Sequence, residues 1–491
     1  MRASAVFFLI AISSIGHASV PNFAQLYRET EDLIKLSKTY QRLENNDEYF
    51  ANFDHSKKPL DFGTFDFIVV GAGTAGGIVA NRLSESNFKV LLVEAGHQDP
   101  DTASVPGLSS YFFTTPLDWG YNTTEEDKIC LATIDKRCIY PRGKMWGGTS
   151  SLNGNGYSRG TKWDYDAWAE IVGSNDWSYE NVLLYFKKAE KAMFKIGLDE
   201  SYHGFSGPQR IDFIEDTPGL TSMLLRAFKE RGSIEVDYNG RNPYGVSRLQ
   251  YFLDRNVRAG TAHTYIRPAA DRPNLLISDN SLVTKVIIAN NRAVSVEFMK
   301  NGKLYFARTS KEVILSAGAI NTPQILMLSG IGPSQELKKH DIKLVKDLPV
   351  GQNLQDHIAV YPIFFRTRYT YYNLTLKEQL KLWYENRRPL TAAGGKQVIS
   401  FRNLEDDTSS SPDTEYVATG PTAGFHPIGS AIMGSGPWNS VTNPELKVHG
   451  IHGLRVADAS VIPVTIAGHT TAPCVMIAEK VSDLIKAEHD Q

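Results

Sequence analysis

Cysteine is scarce in this chain, with three among 491 residues, so no dense disulfide framework holds it together. A surplus of one charge is also missing: 52 Lys and Arg against 54 Asp and Glu leave a formal charge of −2, and no basic cluster offsets that balance. Electrostatic binding to nucleic acid or to an anionic membrane surface is therefore excluded. Long apolar runs are absent as well. Nothing approaches the roughly 20 consecutive apolar residues that a bilayer-spanning helix demands. There is no internal repeat, and the one low-complexity patch, Glu405 to Pro412, is acidic and serine-rich and reads as an exposed loop. No metal site is expected.

What is present is an ordinary globular composition, 42% hydrophobic and 22% charged, in a chain too long for one simple core, so two or more domains are expected. Residues 1–19 begin with Met1-Arg2, pass through a short apolar core from Ala5 to Ile12, and reach small residues at Gly16, Ala18 and Ser19. This is the pattern of a cleaved secretory signal. Secretion fits two N-glycosylation sequons, Asn122-Thr123-Thr124 and Asn373-Leu374-Thr375, and the close spacing of Cys130 and Cys138, which can close as a disulfide in an oxidising compartment. Cys474 is left over and reads as a small core residue. Residues 20–60 form a polar leader with helical spacing around Leu26, Leu33, Ile34 and Leu43.

The densest signal lies just beyond. Phe65-Asp66-Phe67-Ile68-Val69-Val70 is an apolar strand that runs into Gly71-Ala72-Gly73-Thr74-Ala75-Gly76 and then into a small-residue helix, the opening of a dinucleotide-binding βαβ unit. Gly71 permits the tight turn, Gly73 lets the backbone approach a pyrophosphate, and Gly76 lets the helix pack on the strand. The helix N-terminus, with Thr74 and Ala75 in its first turn, offers N–H groups to phosphate. The second strand, Lys89 to Val93, ends at Glu94, 23 positions after Gly71, where a carboxylate is expected to accept a hydrogen bond from the adenosine ribose.

Further along, Asn274 to Ser310 alternates apolar runs with turn residues and reads as a small β meander. Lys311 to Gly318 is a buried-type strand ending in small residues, and Gly453 to Ala459 is another. Each is read as a return to the nucleotide sheet, which makes that domain discontinuous and builds a second domain from the insertions.

Several segments together resemble the glucose-methanol-choline (GMC) oxidoreductases, FAD-dependent enzymes that oxidise alcohols. The resemblance runs from about Phe65 to the C-terminus. It rests on Pro141-Arg142-Gly143-Lys144-Met145-Trp146-Gly147-Gly148-Thr149-Ser150-Ser151-Leu152-Asn153 and on Gly318 through Gly332, supported by Val350 to His357 and by Asp458-Ala459-Ser460 through Pro473. The secreted, cysteine-bracketed form is most similar to the insect members. The fold implied is α/β, a discontinuous Rossmann-like FAD-binding domain with a smaller, sheet-containing α+β substrate domain. The implied segments are a signal at 1–19, a leader at 20–60, an FAD-binding region at 61–330, a substrate domain at 331–424 and a C-terminal return at 425–491.

The resemblance also implies site residues. Gly147 and Gly148 bring the backbone against the flavin, where a Cβ would collide, while Arg142, Thr149 and Asn153 offer polar groups. Val283 would meet adenine through its backbone, and Asp458, Ala459 and Thr470 would border the cofactor. Thr470 also reads as the cap of a C-terminal helix whose N-terminus is aimed at the flavin pyrimidine ring, where it would stabilise the charge of the reduced state. His426 and His469 are the nominated catalytic pair, with His469, His426 beside it, receiving the hydroxyl proton of a small-molecule alcohol, sugar-like or steroid-like. Oxygen or a quinone-like compound would be the electron acceptor.

One departure stands out. Between Asp356 and His426 the chain has far fewer residues than family members carry, so the substrate domain is shortened. Two rivals follow: a catalytically impaired descendant that keeps the FAD fold for binding or structure, and an NAD-dependent dehydrogenase using the same glycine turn, which the flavin-family segments disfavour.

Overall fold

The computed structural model describes residues 22–39, 47–50, 53, 58–131, 133–194, 197–214, 219–359, 374–386, 390, 397–403, 405, 410–418 and 425–490. The expected signal segment, Leu43 and Asn373 lie outside the described residues. A helix is present in the leader, α1 (Phe23–Thr39), which buries Leu26 and Leu33 against Leu380 and Trp383. Among the described residues no helix is long and apolar enough to cross a membrane.

The main sheet is built from β1 (Leu60–Val70), β2 (Val90–Val93), β3 (Leu275–Ser278), β4 (Ser281–Ala289), β5 (Arg292–Lys300), β6 (Lys303–Leu315) and β7 (Leu454–Val456). Its order is β3-β2-β1-β6-β5-β4, with β7 paired to β6. The pairs β3/β2, β2/β1, β1/β6 and β6/β7 are parallel, and the β4-β5-β6 side is antiparallel. The parallel strands are buried on both faces, which explains their unbroken apolar runs: Phe67, Ile68 and Val69 are fully buried, each contributing about 1.5–3 kcal/mol.

Two strand assignments differ from the expectation. Leu275-Leu276-Ile277 does not open the meander but joins the nucleotide sheet, pairing Leu275 to Val90 and Ile277 to Leu92. Asn280, at φ +47°, then turns the chain into β4. Nor does the meander stop at Ser310. β6 is one strand of 13 residues that pairs with β1 from Tyr305 to Leu315, while its first half also pairs with β5 and its buried end, Val313 to Leu315, with β7.

α2 (Thr74–Ser84) follows the glycine turn, and α3 (Gly318–Leu328) follows β6. The last helix, α4 (Thr471–His489), packs back on α2. Glu479 of α4 is fully buried, accepts two hydrogen bonds at 2.8 Å from Arg82 of α2, and accepts a third from the Tyr265 hydroxyl. Arg82 and Glu479, 397 residues apart in sequence, thereby join the two helices.

A second sheet region combines Glu190–Ala192, Gln209–Phe213 and Gln250–Tyr251. The segment 331–424 supplies a hairpin, Val398–Arg402 with Thr414–Ala418, which joins through Phe401 beside Tyr244 and shares a core with Tyr238, Leu249 and Tyr251. Beneath it lies a buried polar network. Arg159 pairs with Glu190, and His203 is clamped at 2.8 Å on both ring nitrogens, by Glu190 and by Asp237. Burial opposes a charge on His203, yet the bonds to Asp237 and Glu190 outweigh it and raise its pKa. Cys130 and Cys138 are joined, closing the hairpin of Tyr121–Asn122 with Ile139–Tyr140, and Cys474 is buried with its thiol pushed up to about 12 by burial.

Candidate functional site

The first wall of the site is the glycine turn. Gly71 has φ +97°, and a Cβ there would lie 2.6 Å from the Ser316 carbonyl. A Cβ at Gly76 would lie 1.9 Å from the Gly71 carbonyl oxygen, so both glycines are demanded by the protein itself. Gly73 is different. Its φ is −76°, and an added Cβ would meet only Gly148 Cα at 3.9 Å. The space over Gly73 belongs to a cavity that Gly71, Thr74 and Ala75 also line. Gly76 does not line it.

Glu94, just past the end of β2, lines the same cavity, but its oxygens already hold the turn: one accepts from Ala72 N–H and the other from Gly96 N–H, each at 2.8 Å. Burial pushes this carboxyl up to about 7, with those two N–H groups opposing the shift.

The segment from Arg142 to Asn153 forms the facing wall. Gly148 (φ +51°) comes so close to the first turn that a Cβ on it would lie 2.8 Å from Gly73 Cα. Gly147 does not reach the cavity. It is glycine because its φ is +79° and a Cβ would strike Ser151 Oγ at 2.3 Å, and its N–H donates to Ala72 O. Thr149 Oγ1 accepts from Gly143 N–H. Asn153 accepts from Arg258 at 3.0 Å and donates to Thr471 at 3.0 Å, tying this wall to α4. Arg142 is half-buried; desolvation lowers its pKa, and it donates to the Phe425 carbonyl at 2.9 Å. Arg142, Gly148, Thr149, Asn153 and Val283 all line the cavity.

Asp458 and Ala459 line it where β7 ends. The Asp458 oxygens are taken by Gly318 N–H, Thr322 and Ser460, so this carboxylate braces the start of α3 and the loop after β7. Thr470 precedes α4 but makes no side-chain cap, contrary to the capping role read from sequence; its φ/ψ of −72°, −13° is already helical. Thr470, Thr471 and Cys474 instead border the cavity at the helix N-terminus.

His426 and His469 meet on this cavity, with ring centroids 4.9 Å apart. Sequence reasoning did not nominate two neighbours. His357 Nδ1 lies 3.0 Å from His426 Nδ1, while His357 Nε2 donates to the Ile466 carbonyl at 2.9 Å. Asp356 Oδ1 accepts the backbone N–H groups of both His357 and His426. Glu415, from the hairpin of Val398–Arg402 with Thr414–Ala418, lies with Oε1 2.9 Å from His469 Nε2. His357 sat in a family-like stretch and was findable there. Glu415 carried no signal, because the hairpin that delivers it is a matter of tertiary packing.

The cavity is one hollow that runs from the glycine turn to His426 and His469. Three features suit a dinucleotide flavin: the open space over Gly73, the uncapped N-terminus of α4, and Asn155 Oδ1. That oxygen is buried on the cavity wall and accepts nothing among the described residues. Fold and site define a flavin-type dinucleotide oxidoreductase. Family models described as GMC oxidoreductase match residues 65–359 and 362–478, and the chain belongs to that family. It is an FAD-dependent oxidoreductase acting on CH–OH donors.

Among its relatives are a glucose dehydrogenase (FAD, quinone) of Drosophila pseudoobscura pseudoobscura, 33% identical over 86% of this chain and 87% of the relative, and an ecdysone oxidase of Spodoptera littoralis, 30% identical over 87% and 92%. The first match spans 544 aligned positions yet only 86% of these 491 residues, so that relative carries segments this chain lacks. A formate oxidase structure from Aspergillus oryzae has a TM-score of 0.75 at 25% identity, covering 88% of this chain and 100% of its own.

Proposed function

We propose that the chain is a secreted enzyme that oxidises a primary or secondary alcohol, sugar-like or steroid-like, with the His426–His469 pair receiving the hydroxyl proton. The observation that carries this reading is the meeting of the two histidines on the same cavity as the glycine turn. Bound FAD supplies the hydride acceptor. Gly71, Gly73, Thr74 and Ala75 would hold its pyrophosphate, Glu94 its ribose and Val283 its adenine. Arg142, Gly148, Thr149, Asn153, Asp458, Ala459 and Thr470 would border the rest, with Gly76 and Gly147 shaping the walls from behind. The N-terminus of α4 presents unpaired N–H groups that favour negative charge. Relatives named for glucose and for ecdysone support the substrate class, and the name of the first supports a quinone-like acceptor beside oxygen.

The shortened substrate segment favours a second reading, a catalytically impaired protein that keeps FAD for binding or structure. One experiment separates the two. The purified protein is reduced anaerobically with a panel of sugars, sterols and simple alcohols while its flavin absorbance is followed. His426→Ala and His469→Ala are expected to keep the flavin but bleach about 10²-fold more slowly. A yellow parent that no alcohol bleaches supports the impaired reading.

A further inference from the structure

Successive residues of a strand point to opposite faces, and residues directly opposite in an antiparallel pair share one. In the hairpin that Cys130 and Cys138 close, Tyr121 stands opposite Tyr140, and Asn122 opposite Ile139. Tyr121 lines the cavity and donates to Asn321 Oδ1, while the Tyr140 ring lies 6.3 Å from that of Phe425, another lining residue. The two tyrosines are the inner face. Asn122 and Ile139 therefore look outward, and both are exposed, Ile139 by 53%. Ile129 and Leu131, 46% and 57% exposed, flank Cys130, whose Cα lies 5.4 Å from that of Cys138, the residue before Ile139. Single apolar residues on a surface are ordinary, but three on one disulfide-closed hairpin leave a patch open to water.

Asn122-Thr123-Thr124 is an acceptor sequence for N-linked glycosylation, and its Asn122 and Thr124 are both exposed. We propose that Asn122 carries an N-linked glycan whose first N-acetylglucosamine lies across Ile139 and covers the apolar end of the hairpin. The proposal rests on the secreted reading above and not on the alcohol chemistry. In the group transfer, Asn122 Nδ2 bonds to C1 of an oligosaccharide carried on a lipid pyrophosphate; the C1–O bond to the pyrophosphate breaks, the lipid pyrophosphate leaves, and Nδ2 gives up one proton. Directly opposite side chains have Cβ atoms about 4.5–5.5 Å apart, so a sugar attached at the tip of Asn122 is delivered over Ile139. A pyranose ring offers a face of C–H groups to the aliphatic surface while its hydroxyls stay in water. Because Tyr121 and Asn122 face opposite sides, the glycan stands outside the cavity and leaves it open.

The full chain is expressed in cultured insect cells behind its own N-terminus, and medium and cells are analysed separately. Peptide mapping of the secreted protein, released with peptide N-glycosidase in heavy-oxygen water, is expected to find Asn122 converted to labelled aspartate, on a peptide distinct from that of Asn373. Asn122→Gln and Thr124→Ala, which break the sequon at different residues, are each expected to lose the same glycan mass. Secreted protein with Asn122 bare overturns the glycan alone; a chain that stays in the cells overturns secretion and the glycan with it. The cover over Ile139 is read separately, by the fluorescence of a hydrophobic dye. It is expected to stay low after an endoglycosidase that leaves the first N-acetylglucosamine, and to rise about twofold or more when peptide N-glycosidase removes that sugar too. In Ile139→Ser that rise is expected to disappear. No rise in the parent, or an equal rise in Ile139→Ser, overturns the cover. Flavin absorbance is expected to be the same before and after the sugar is removed; its loss would place the glycan on the cavity side and overturn the orientation.

Discussion

Replacing Gly73 by alanine isolates the cofactor from the fold. The backbone there is extended with negative φ, and the new methyl carbon would stand 3.9 Å from Gly148 Cα, an ordinary van der Waals contact. On the protein side the change is therefore neutral, or stabilising by about 0.4–1 kcal/mol through a stiffer unfolded chain. On the cofactor side the methyl occupies the space a pyrophosphate needs. Each charge-assisted hydrogen bond lost from the first turn of α2 is worth about 1.5–3 kcal/mol, or roughly tenfold or more in affinity. Gly76→Ala makes the opposite case. Its Cβ would stand 1.9 Å from the Gly71 carbonyl oxygen, and a backbone clash of that kind places the cost at about 4 kcal/mol or more. The assay measures visible flavin absorbance per protein together with the first urea-unfolding midpoint of flavin-stripped material. Gly73→Ala should fold and be nearly colourless; Gly76→Ala should fail to accumulate. A Gly73→Ala protein with the flavin content of the parent would refute the reasoning.

Three further outcomes follow from the packing. The raised pKa of His203 means that its stabilising contribution is complete below its unfolded value of about 6.5 and is lost as pH rises through the higher folded value. The urea midpoint should fall over that window, and His203→Gln should flatten the slope. Glu479→Ala removes two of the acceptors of Arg82, leaving it only Glu85, and deprives the Tyr265 hydroxyl of its acceptor; it should lower the stability read from the same urea midpoint by about 1–3 kcal/mol. Peptide mapping under non-reducing conditions should recover Cys130 joined to Cys138, and Cys130→Ser should speed tryptic cleavage at Lys128, Lys136 or Arg137.

The parallel core was legible because buried strands write themselves as apolar runs: β1, β2 and the end of β6 lie where Phe67 to Val70, Val90 to Val93 and Val313 to Leu315 announced them. β3 was misplaced because a short apolar run fits a meander as well as a parallel edge. Only the partner decides, and here it is β2. Gly71 and Gly76 were readable from the turn they make. Gly147 was grouped with Gly148 by adjacency, yet its neighbour is Ser151 rather than the cavity. The histidine pair could be nominated by family position. His357 stood in a family-like stretch, but its contact with His426 could not be read there, and Glu415 carried no signal, because both contacts join segments distant in sequence.

The cavity draws its walls from both ends of the chain, and this orders events during synthesis. A ribosome adding about 5–20 residues per second produces the glycine turn on the order of tens of seconds before β7 and α4 emerge. Once β6 has emerged, the edge that will receive β7 waits for it, and Arg82 waits for Glu479. A chain that stops before Leu454 lacks the last strand, the last helix and His469 together. Such a chain also lacks the cavity wall that Asp458, Ala459 and Thr470 supply, and an unpaired sheet edge is the hazard it bears.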